Sequence, residues 1–244
     1  QLVRKILLNS AYGALLNEHC RFYDKRIGQS VTLSGRQIVK HMMSTINEPV
    51  EGVYSHEGNA IVYGDTDSCY FTAYPILKSQ IANGELEWNK ETCIGLYDSI
   101  ANQANESFPS FMERAFHTLR KDGEIIKAGR ELIGDRAIFI VKKRYAINIF
   151  DKEGKRKDKG GSAGDIKAMG LDLKRADTPK YIQEFLMNVL QMVLQQGKGR
   201  DEVIEAIKDF KRILTAQDSW TKGSPKGVNK LTYYGDLESK AASG

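Results

Sequence analysis

Two short apolar runs lie on either side of a turn that contains two aspartates. The runs cover residues 61–63 and 69–72, and residues 64–68 between them read Gly-Asp-Thr-Asp-Ser. Because Gly, Asp and Ser are turn-forming residues, the segment predicts a β-hairpin with Asp65 and Asp67 at its tip. Two short strands need a core behind them, so the turn is expected at the edge of a sheet and facing water.

Two carboxylates held this close repel each other unless a cation lies between them. Mg²⁺ takes oxygen ligands and keeps coordination positions open for substrate phosphates, so Asp65 and Asp67 are candidate metal ligands. The alternative is a solvated, Asp-rich turn that binds nothing.

The rest of the chain alternates between helical and strand patterns before it becomes helical. Helices are predicted over residues 2–16, 31–46, 90–119 with an interruption near Pro109, 178–194 with Thr178 as N-cap and Pro179 in the first turn, and 201–214. Strands are predicted over residues 137–141, 145–150 and 166–173, with an exposed loop over 151–164. The order indicates an α/β fold of the α+β type up to residue 173, followed by a helical part.

Composition excludes several other classes of protein. Hydrophobic residues make up 41% and charged residues 27%, as in a soluble globular protein, and no apolar run approaches the roughly 20 residues of a membrane-spanning helix. Cys20, Cys69 and Cys93 form no CxxC pair, which indicates buried thiols rather than a disulfide frame or a zinc site. A helical pattern is already under way at Leu2 without signal-peptide features, so we expect the chain to begin inside a larger protein.

The net charge of +5 is concentrated in one place. Residues 141–160 contain eight basic and three acidic residues, so this stretch alone accounts for the whole excess. Its basic residues are Lys142, Lys143, Arg144, Lys152, Lys155, Arg156, Lys157 and Lys159. Such clustering is typical of a protein with a polyanionic partner, and the alternative is a solvated run of charges.

Two further motifs carry polar side chains at informative spacings. Lys5, Asn9 and Tyr12 are separated by four and three residues, so a helix places them on one face, where a cation, an amide and an aromatic ring can meet a triphosphate, a sugar and a base pair. Lys142, Lys143 and Arg144 lie between two predicted strands, where cations can meet nucleic-acid phosphates. The alternatives are a polar stripe on an amphipathic helix and a basic strand edge that discourages aggregation.

Together, and in this order, the three motifs resemble those of family B DNA polymerases, in particular polymerases of T-even-type bacteriophages. The Tyr-Gly-Asp-Thr-Asp-Ser hairpin is similar to the family's second metal-binding motif, which makes Asp67 the main ligand and Asp65 a second contributor. The Lys-x-x-x-Asn-Ser-x-Tyr-Gly helix is similar to the fingers motif. The resemblance therefore implies that Lys5 and Asn9 orient the triphosphate and that Tyr12 lines the nucleotide pocket.

The third motif resembles the Lys-Lys-Arg-Tyr element with which family B palms hold the primer–template duplex. This implies DNA-binding roles for Lys142, Lys143, Arg144 and Tyr145. Arg130 with Glu131, and residues 167–180, resemble the family's passage from palm to thumb.

The resemblance also implies a domain order and a reaction. Residues 1–17 would be the end of the fingers, 18–173 the larger part of a palm with an antiparallel sheet backed by helices, and 174–244 a partial thumb. The implied activity is DNA-directed DNA polymerase: two Mg²⁺ ions, for which Mn²⁺ can substitute, assist attack of a primer 3′-hydroxyl on a deoxynucleotide.

The implied partners are primer–template DNA, dNTPs and the N-terminal part of the polymerase, with its exonuclease, first palm segment and remaining fingers. A sliding clamp is a further candidate. The expected location is the cytoplasm of an infected bacterial host, without membrane attachment.

Two departures from the family pattern are visible. Leu16 stands where relatives commonly have Gly, and no Asp-x-x-Ser-Leu-Tyr-Pro-Ser element supplies the other essential aspartate; Asp98 is no substitute for it. The exonuclease carboxylates are also absent. We therefore expect the chain alone to be inactive.

Two other functions stay open at this stage. A non-catalytic DNA-binding subunit of a replication complex would keep the basic stretch but would not need paired carboxylates. A metal-dependent nuclease would need the carboxylates but not a helix face that meets an incoming nucleotide.

Overall fold

The structure, a computed structural model, describes residues 2–85, 87 and 89–223. The predicted α+β class is confirmed, because helices and antiparallel strand pairs both occur in this part of the chain. In chain order the elements are α1 (Leu2–Leu16), α2 (Lys25–Glu51), β1 (Ile61–Asp65), β2 (Ser68–Phe71), α3 (Tyr74–Ala82), α4 (Lys90–Phe116), α5 (Arg120–Gly123), β3 (Leu132–Val141), β4 (Arg144–Lys152), β5 (Lys155–Arg156), β6 (Asp165–Met169), α6 (Lys180–Leu194) and α7 (Arg200–Ala216).

Contacts between residues divide the chain into two compact units, one up to Glu131 and one from Leu132 onward. The fingers, palm and thumb boundaries at residues 17 and 173 concern functional domains and stay predictions. Within the described residues, no helix combines the length and the hydropathy that crossing a bilayer requires.

In the first unit, α2 and α4 pack together and hold the hairpin β1–β2. The α2 helix begins at Lys25, earlier than predicted, because the Asp24 carboxylate accepts a hydrogen bond of 2.9 Å from the Arg26 amide and so caps the first turn. The core is formed by Met42, Ile46, Ala73, Ile100, Ala104 and Phe108, and the hairpin packs Ile61, Cys69 and Phe71 against it.

In the second unit, β4 pairs with three other strands and α6 covers the sheet. The strand β4 is antiparallel to β3, to the two-residue strand β5 and to β6. The shared core contains Ala146, Ala168, Leu173 and Leu194. The apolar face predicted for α6 therefore packs against this core through the partly buried Leu186, Met187 and Leu190.

A buried amide network joins this sheet to the end of α6. Asn148 is 1% exposed, and its side-chain N–H groups donate to Asp135 Oδ1 at 2.9 Å and to the Ala163 carbonyl at 2.8 Å. Gln195 Nε2 donates to Asn148 Oδ1 and to the Gly164 carbonyl, each at 3.0 Å. Because buried polar groups are costly when unpaired, this network fixes the relative positions of sheet, loop and helix.

The predicted interruption of a helix near Pro109 is wrong. The helix α4 continues from Lys90 to Phe116 through Pro109. Proline lacks an amide donor and normally breaks a helix, but Phe108 is 1% exposed and Gly123 lies against the Pro109 backbone. Tertiary packing on both sides of the proline therefore outweighs its local cost.

Three other boundaries differ from the predictions. The segment 151–164 is not only an exposed loop, since β5 pairs with the end of β4 and the Asp158 side chain is largely buried beside Arg156. The strand β6 ends at Met169 instead of continuing to residue 173. Pro179, not Thr178, occupies the N-cap position of α6, and no side chain caps that end.

Candidate active site and nucleic-acid interface

The predicted hairpin at the two aspartates is confirmed. Asp65 pairs with Ser68, so Thr66 and Asp67 form a two-residue loop; we call residues 65–68 the acidic turn. The Asp67 amide donates a hydrogen bond to the Asp65 carbonyl at 2.7 Å, and this i to i+2 bond defines a γ-turn. Thr66, the central residue, has φ +54°. A positive φ is rare for a β-branched residue, so this turn needs further contacts to hold it.

The two carboxylates of the acidic turn differ in exposure and in support. Asp65 is half-buried, Thr66 Oγ1 donates to its Oδ1 at 3.1 Å, and the Tyr63 hydroxyl lies 3.5 Å from its Oδ2. Ser68 Oγ donates to the Asp65 carbonyl at 3.2 Å. Asp67 is exposed. Asp65 is thus held by hydroxyl groups, whereas the Asp67 carboxylate is presented to solvent.

These carboxylate oxygens suit Mg²⁺, but two carboxylates from one turn can supply only some of the ligands that two metal ions need. Within the described residues, no group of three or more His, Cys, Asp or Glu side chains lies close enough to hold a metal ion. Asp98 is engaged elsewhere in α4, where it pairs with the Arg130 guanidinium. The structure therefore gives Asp98 a structural partner.

The strands behind the acidic turn are fixed to helix α2. A Cβ added at Gly64 would lie 2.1 Å from Met43 Cε, so the side chain of Met43 on α2 packs directly against the backbone of β1. On β2, burial raises the pKa of the Cys69 thiol to about 11. Both observations indicate a hairpin whose inner face is packed, which leaves only its tip available to a ligand.

The predicted helix with Lys5, Asn9 and Tyr12 is confirmed as α1. At 3.6 residues per turn the three positions fall within about 60° of one another, so they share a face. Lys5 and Asn9 are exposed and Tyr12 is half-buried. Leu16, which departs from the family pattern, packs against α2: a Cβ at Gly28 would lie 2.2 Å from Leu16 Cδ2.

The basic motif forms a second two-residue hairpin loop. Val141 pairs with Arg144, so Lys142 and Lys143 form the loop between β3 and β4; we call residues 142–144 the basic turn. Lys143 has φ +65°, and all three side chains of the basic turn are exposed. Tyr145 is 8% exposed, and its ring centroid lies 5.5 Å from that of Phe139. The tyrosine side chain is thus buried in the sheet, whereas the three cationic side chains before it are exposed.

Part of the remaining basic stretch is neutralised by nearby carboxylates. Arg156 Nε lies 2.8 Å from Asp158 Oδ1, and Lys157 Nζ lies 3.6 Å from Asp165 Oδ2. Such pairs hold basic side chains against the protein and reduce their attraction for a polyanion. The sequence-based count of charges therefore overstates how much of this stretch faces a partner.

Comparison with known proteins agrees with the motifs. Residues 1–83 match the model of DNA polymerase family B. The DNA-directed DNA polymerase of Enterobacteria phage T4 is 29% identical over 246 residues, which cover 97% of this chain and 26% of that polymerase. That of Escherichia phage RB69 is 33% identical over 211 residues, covering 81% and 22%. The DNA polymerase of Thermococcus gorgonarius is 27% identical over 240 residues, covering 98% and 25%. The resemblance to family B DNA polymerases is confirmed.

The chain spans about a quarter of the length of these polymerases. The family match over residues 1–83 contains both the α1 motif and the acidic turn. The basic turn lies beyond that match, within the part of the chain that aligns with the phage T4 polymerase. The first two motifs belong to the first compact unit and the basic turn to the second.

Two features of the site escaped sequence reasoning. The hydroxyl of Thr66 beside Asp65 was not predicted, although a threonine between two aspartates is in the sequence, because its contact depends on the positive φ. Gly170, directly after β6, was placed inside a strand. The sequence hint of its positive φ of +63° is that the residue is a glycine.

Proposed function

We propose that the chain is the end of the fingers, the larger part of the palm and a partial thumb of a template-directed DNA polymerase. The observation that carries the proposal is the acidic turn, which presents Asp67 and braces Asp65 inside the segment that matches family B. The proposed reaction is in-line attack of a primer 3′-hydroxyl on the α-phosphate of a deoxynucleotide.

In this proposal Asp67 and Asp65 would hold two Mg²⁺ ions, with Mn²⁺ as a substitute. When bound, such ions activate the primer hydroxyl and neutralise charge on the leaving pyrophosphate. Asp67 is the main ligand because it is the exposed carboxylate. Asp65 contributes negative charge from a fixed position, since Thr66 donates a hydrogen bond to it.

The exposed face of α1 is proposed to hold the incoming nucleotide. Lys5 and Tyr12 are seven residues apart, which is about 10 Å along a helix axis. A cation at one end and a half-buried aromatic ring at the other suit a ligand with phosphates at one end and a base at the other. Asn9 lies between them and can donate to a phosphate or a sugar oxygen.

The basic turn is proposed to hold the primer–template duplex through its phosphates. Lys142, Lys143 and Arg144 are exposed at a hairpin tip, where long cationic side chains can reach a backbone without selecting a sequence. Tyr145 would support the basic turn without reaching the duplex backbone as the cations do, because its ring is packed in the sheet.

The remaining parts of the proposal concern what lies outside the described residues. A further carboxylate, needed to bridge the two ions, would come from an N-terminal part that also carries the exonuclease, the first palm segment and the rest of the fingers. A sliding clamp is a candidate partner, and the proposed location is the cytoplasm of an infected bacterium. A non-catalytic DNA-binding subunit is the second candidate, favoured only by the exposed basic turn.

The test is primer extension with Mg²⁺ by this chain, with and without the polypeptide encoded upstream of Gln1. We expect no extension by the chain alone and extension by the combination. The matched control is the combination with Asp65→Asn and Asp67→Asn, which should still bind duplex DNA but not extend it. Extension by the chain alone would overturn the need for another carboxylate. A combination that binds DNA without extending it would favour the non-catalytic subunit.

A further inference from the structure

We propose that Gly170 is a positioning residue for the basic turn. It follows β6 and carries no charge, so it does not itself contact nucleic acid through a side chain. The proposal rests on the proposed duplex-binding role of the basic turn, and it adds a residue on which that role depends.

The first observation is a close approach between backbones. A Cβ added at Gly170 would lie 2.1 Å from the carbonyl oxygen of Lys143 and 3.1 Å from its carbonyl carbon. The same Cβ would lie 3.2 Å from Arg144 Cγ. Two of these atoms belong to the main chain, so the contact cannot be relieved by rotating a side chain.

The second observation is that the chain around Gly170 is anchored on both sides. Before it, β6 pairs with β4 through Met169 opposite Tyr145 and Ala168 opposite Ala146. After it, Leu171 packs against the core of the second unit and Leu173 is 6% exposed. Because both flanks are held, an added methyl group would displace the basic turn rather than the glycine.

The third observation is that the basic turn has little tolerance for displacement. Lys143 has φ +65°, a conformation that non-glycine residues keep only when their surroundings fix it. Phosphate contacts depend on where the cations stand relative to the duplex. A shift of the Lys143 carbonyl therefore changes the direction of the side chains before and after it.

The test measures binding of a labelled primer–template by the intact polymerase that contains this sequence, in EDTA so that no extension occurs. Affinity is determined from 50 to 200 mM salt for the unmodified protein and for Gly170→Ala. A plot of log affinity against log salt has a negative slope, and each lost phosphate contact reduces the magnitude of that slope by roughly 0.9. We expect Gly170→Ala to lose one to three contacts, a change of about 0.9 to 2.7 in slope.

A matched control separates the contact from the strain of a positive φ. Gly154 has φ +78° and nothing within 4 Å of an added Cβ, and it lies in the turn at the far end of β4 from the basic turn. Gly154→Ala should strain the backbone similarly and leave the salt slope unchanged. An equal loss of slope in Gly154→Ala would overturn the proposal.

A second pair of variants guards against simple misfolding. Gly170→Asn keeps the added Cβ, but asparagine tolerates a left-handed backbone better than alanine, so it should fold more readily and still lose slope. In a background of Lys142→Ala, Lys143→Ala and Arg144→Ala, Gly170→Ala should have no further effect on affinity, because the contacts it disturbs are gone. A further loss larger than twofold there would mean that Gly170 acts through general destabilisation.

The two levels of the proposal fail on different measurements. An unchanged salt slope in the triple alanine variant would reject the duplex-binding role of the basic turn, and Gly170 with it. A reduced slope in the triple variant together with an unchanged slope in folded Gly170→Ala and Gly170→Asn would reject only the role of Gly170.

Discussion

The acidic turn and the basic turn are two versions of one local structure. Each is a two-residue hairpin loop with a non-glycine residue at positive φ, Thr66 at +54° in one and Lys143 at +65° in the other. They differ in what holds them. Hydroxyl groups of its own residues brace the acidic turn, whereas the backbone of Gly170, directly after β6, lies against the backbone of the basic turn.

The difference matches what each turn is proposed to do. A metal ligand must be held in position, and hydrogen bonds inside the acidic turn hold Asp65, the second of the two proposed ligands. Cations that bind phosphates need only the right approach and reach, so a fixed backbone with mobile side chains is enough. The strained residue of the acidic turn is thus accompanied by hydrogen bonds within the turn, and that of the basic turn by packing against a distant segment.

The largest expected effect comes from removing the charge of the exposed carboxylate. In the assembled polymerase, Asp67→Asn should lower the rate of primer extension by at least ~10³-fold, because a charged metal ligand contributes several kcal/mol of transition-state stabilisation. Affinity for primer–template should stay within a few-fold. Single-turnover extension rates check the first statement and anisotropy titrations the second. A rate within tenfold of the unmodified enzyme would remove Asp67 from the metal site.

The basic turn should behave in the opposite way. Replacing Lys142, Lys143 and Arg144 by Ala should weaken binding to every duplex sequence and flatten the salt dependence by about one slope unit for each lost phosphate contact. The single-turnover rate at saturating DNA should change far less than in Asp67→Asn. An unchanged slope would identify the turn as a solvated strand edge.

The positive φ of Lys143 allows a smaller, structural test. Lys143→Gly should raise the free energy of unfolding by up to about 1 kcal/mol, because a left-handed conformation costs an L-residue about 1–2 kcal/mol and part of the gain is lost to the entropy of glycine. Lys142→Gly is the matched control, since residue 142 has no positive φ, and it should not stabilise. Urea denaturation of both variants measures the difference, and equal effects would contradict the strain assigned to Lys143.

The smallest expected effect concerns the pH dependence of stability in the first unit, which carries the acidic turn. In the first unit His41 is 6% exposed, stacks on Phe111 at 4.0 Å and hydrogen-bonds the Tyr54 and Ser107 hydroxyls. Burial, followed by the charge of Arg114, lowers the pKa of His41 in the folded chain.

The unfolded chain therefore binds this proton more readily, so stability is fully present above the unfolded pKa of about 6.5 and decreases as the pH falls below it. Arg114 and Glu48 are the charged groups that line the same cavity of about 700 Å³. His41→Gln should flatten the pH dependence of urea unfolding below about pH 6.5, while His19→Gln, at a side chain 87% exposed, should not. An unchanged pH dependence of unfolding in His41→Gln would contradict this assignment.

Several parts of the fold and site followed from the sequence because they depend on near neighbours. The helix spacing of Lys5, Asn9 and Tyr12 gave a shared face, and turn-forming residues between apolar runs gave the hairpin at Asp65 and Asp67. The strands on either side of Lys142 and Lys143 were predicted in the same way. In each case the signal is periodicity or turn chemistry within about ten residues.

Other features could not be predicted because they depend on residues far apart in the chain. Pro109 stays inside α4 since Phe108 and Gly123 are packed around it. Tyr145 reads as one motif with the three cations before it, yet pairing with β3 and β6 buries its ring.

The sequence by itself determined which chemical groups lie close together in this protein: paired carboxylates in a turn, a cation, an amide and an aromatic ring on one helix face, and cations between two strands. Those features are set by residue type and short spacing. Only the tertiary structure decided that the Tyr145 ring is buried and that Gly170 lies against the Lys143 carbonyl. The reason is physical: backbone strain and close packing arise from contacts between distant segments, and no local pattern records them.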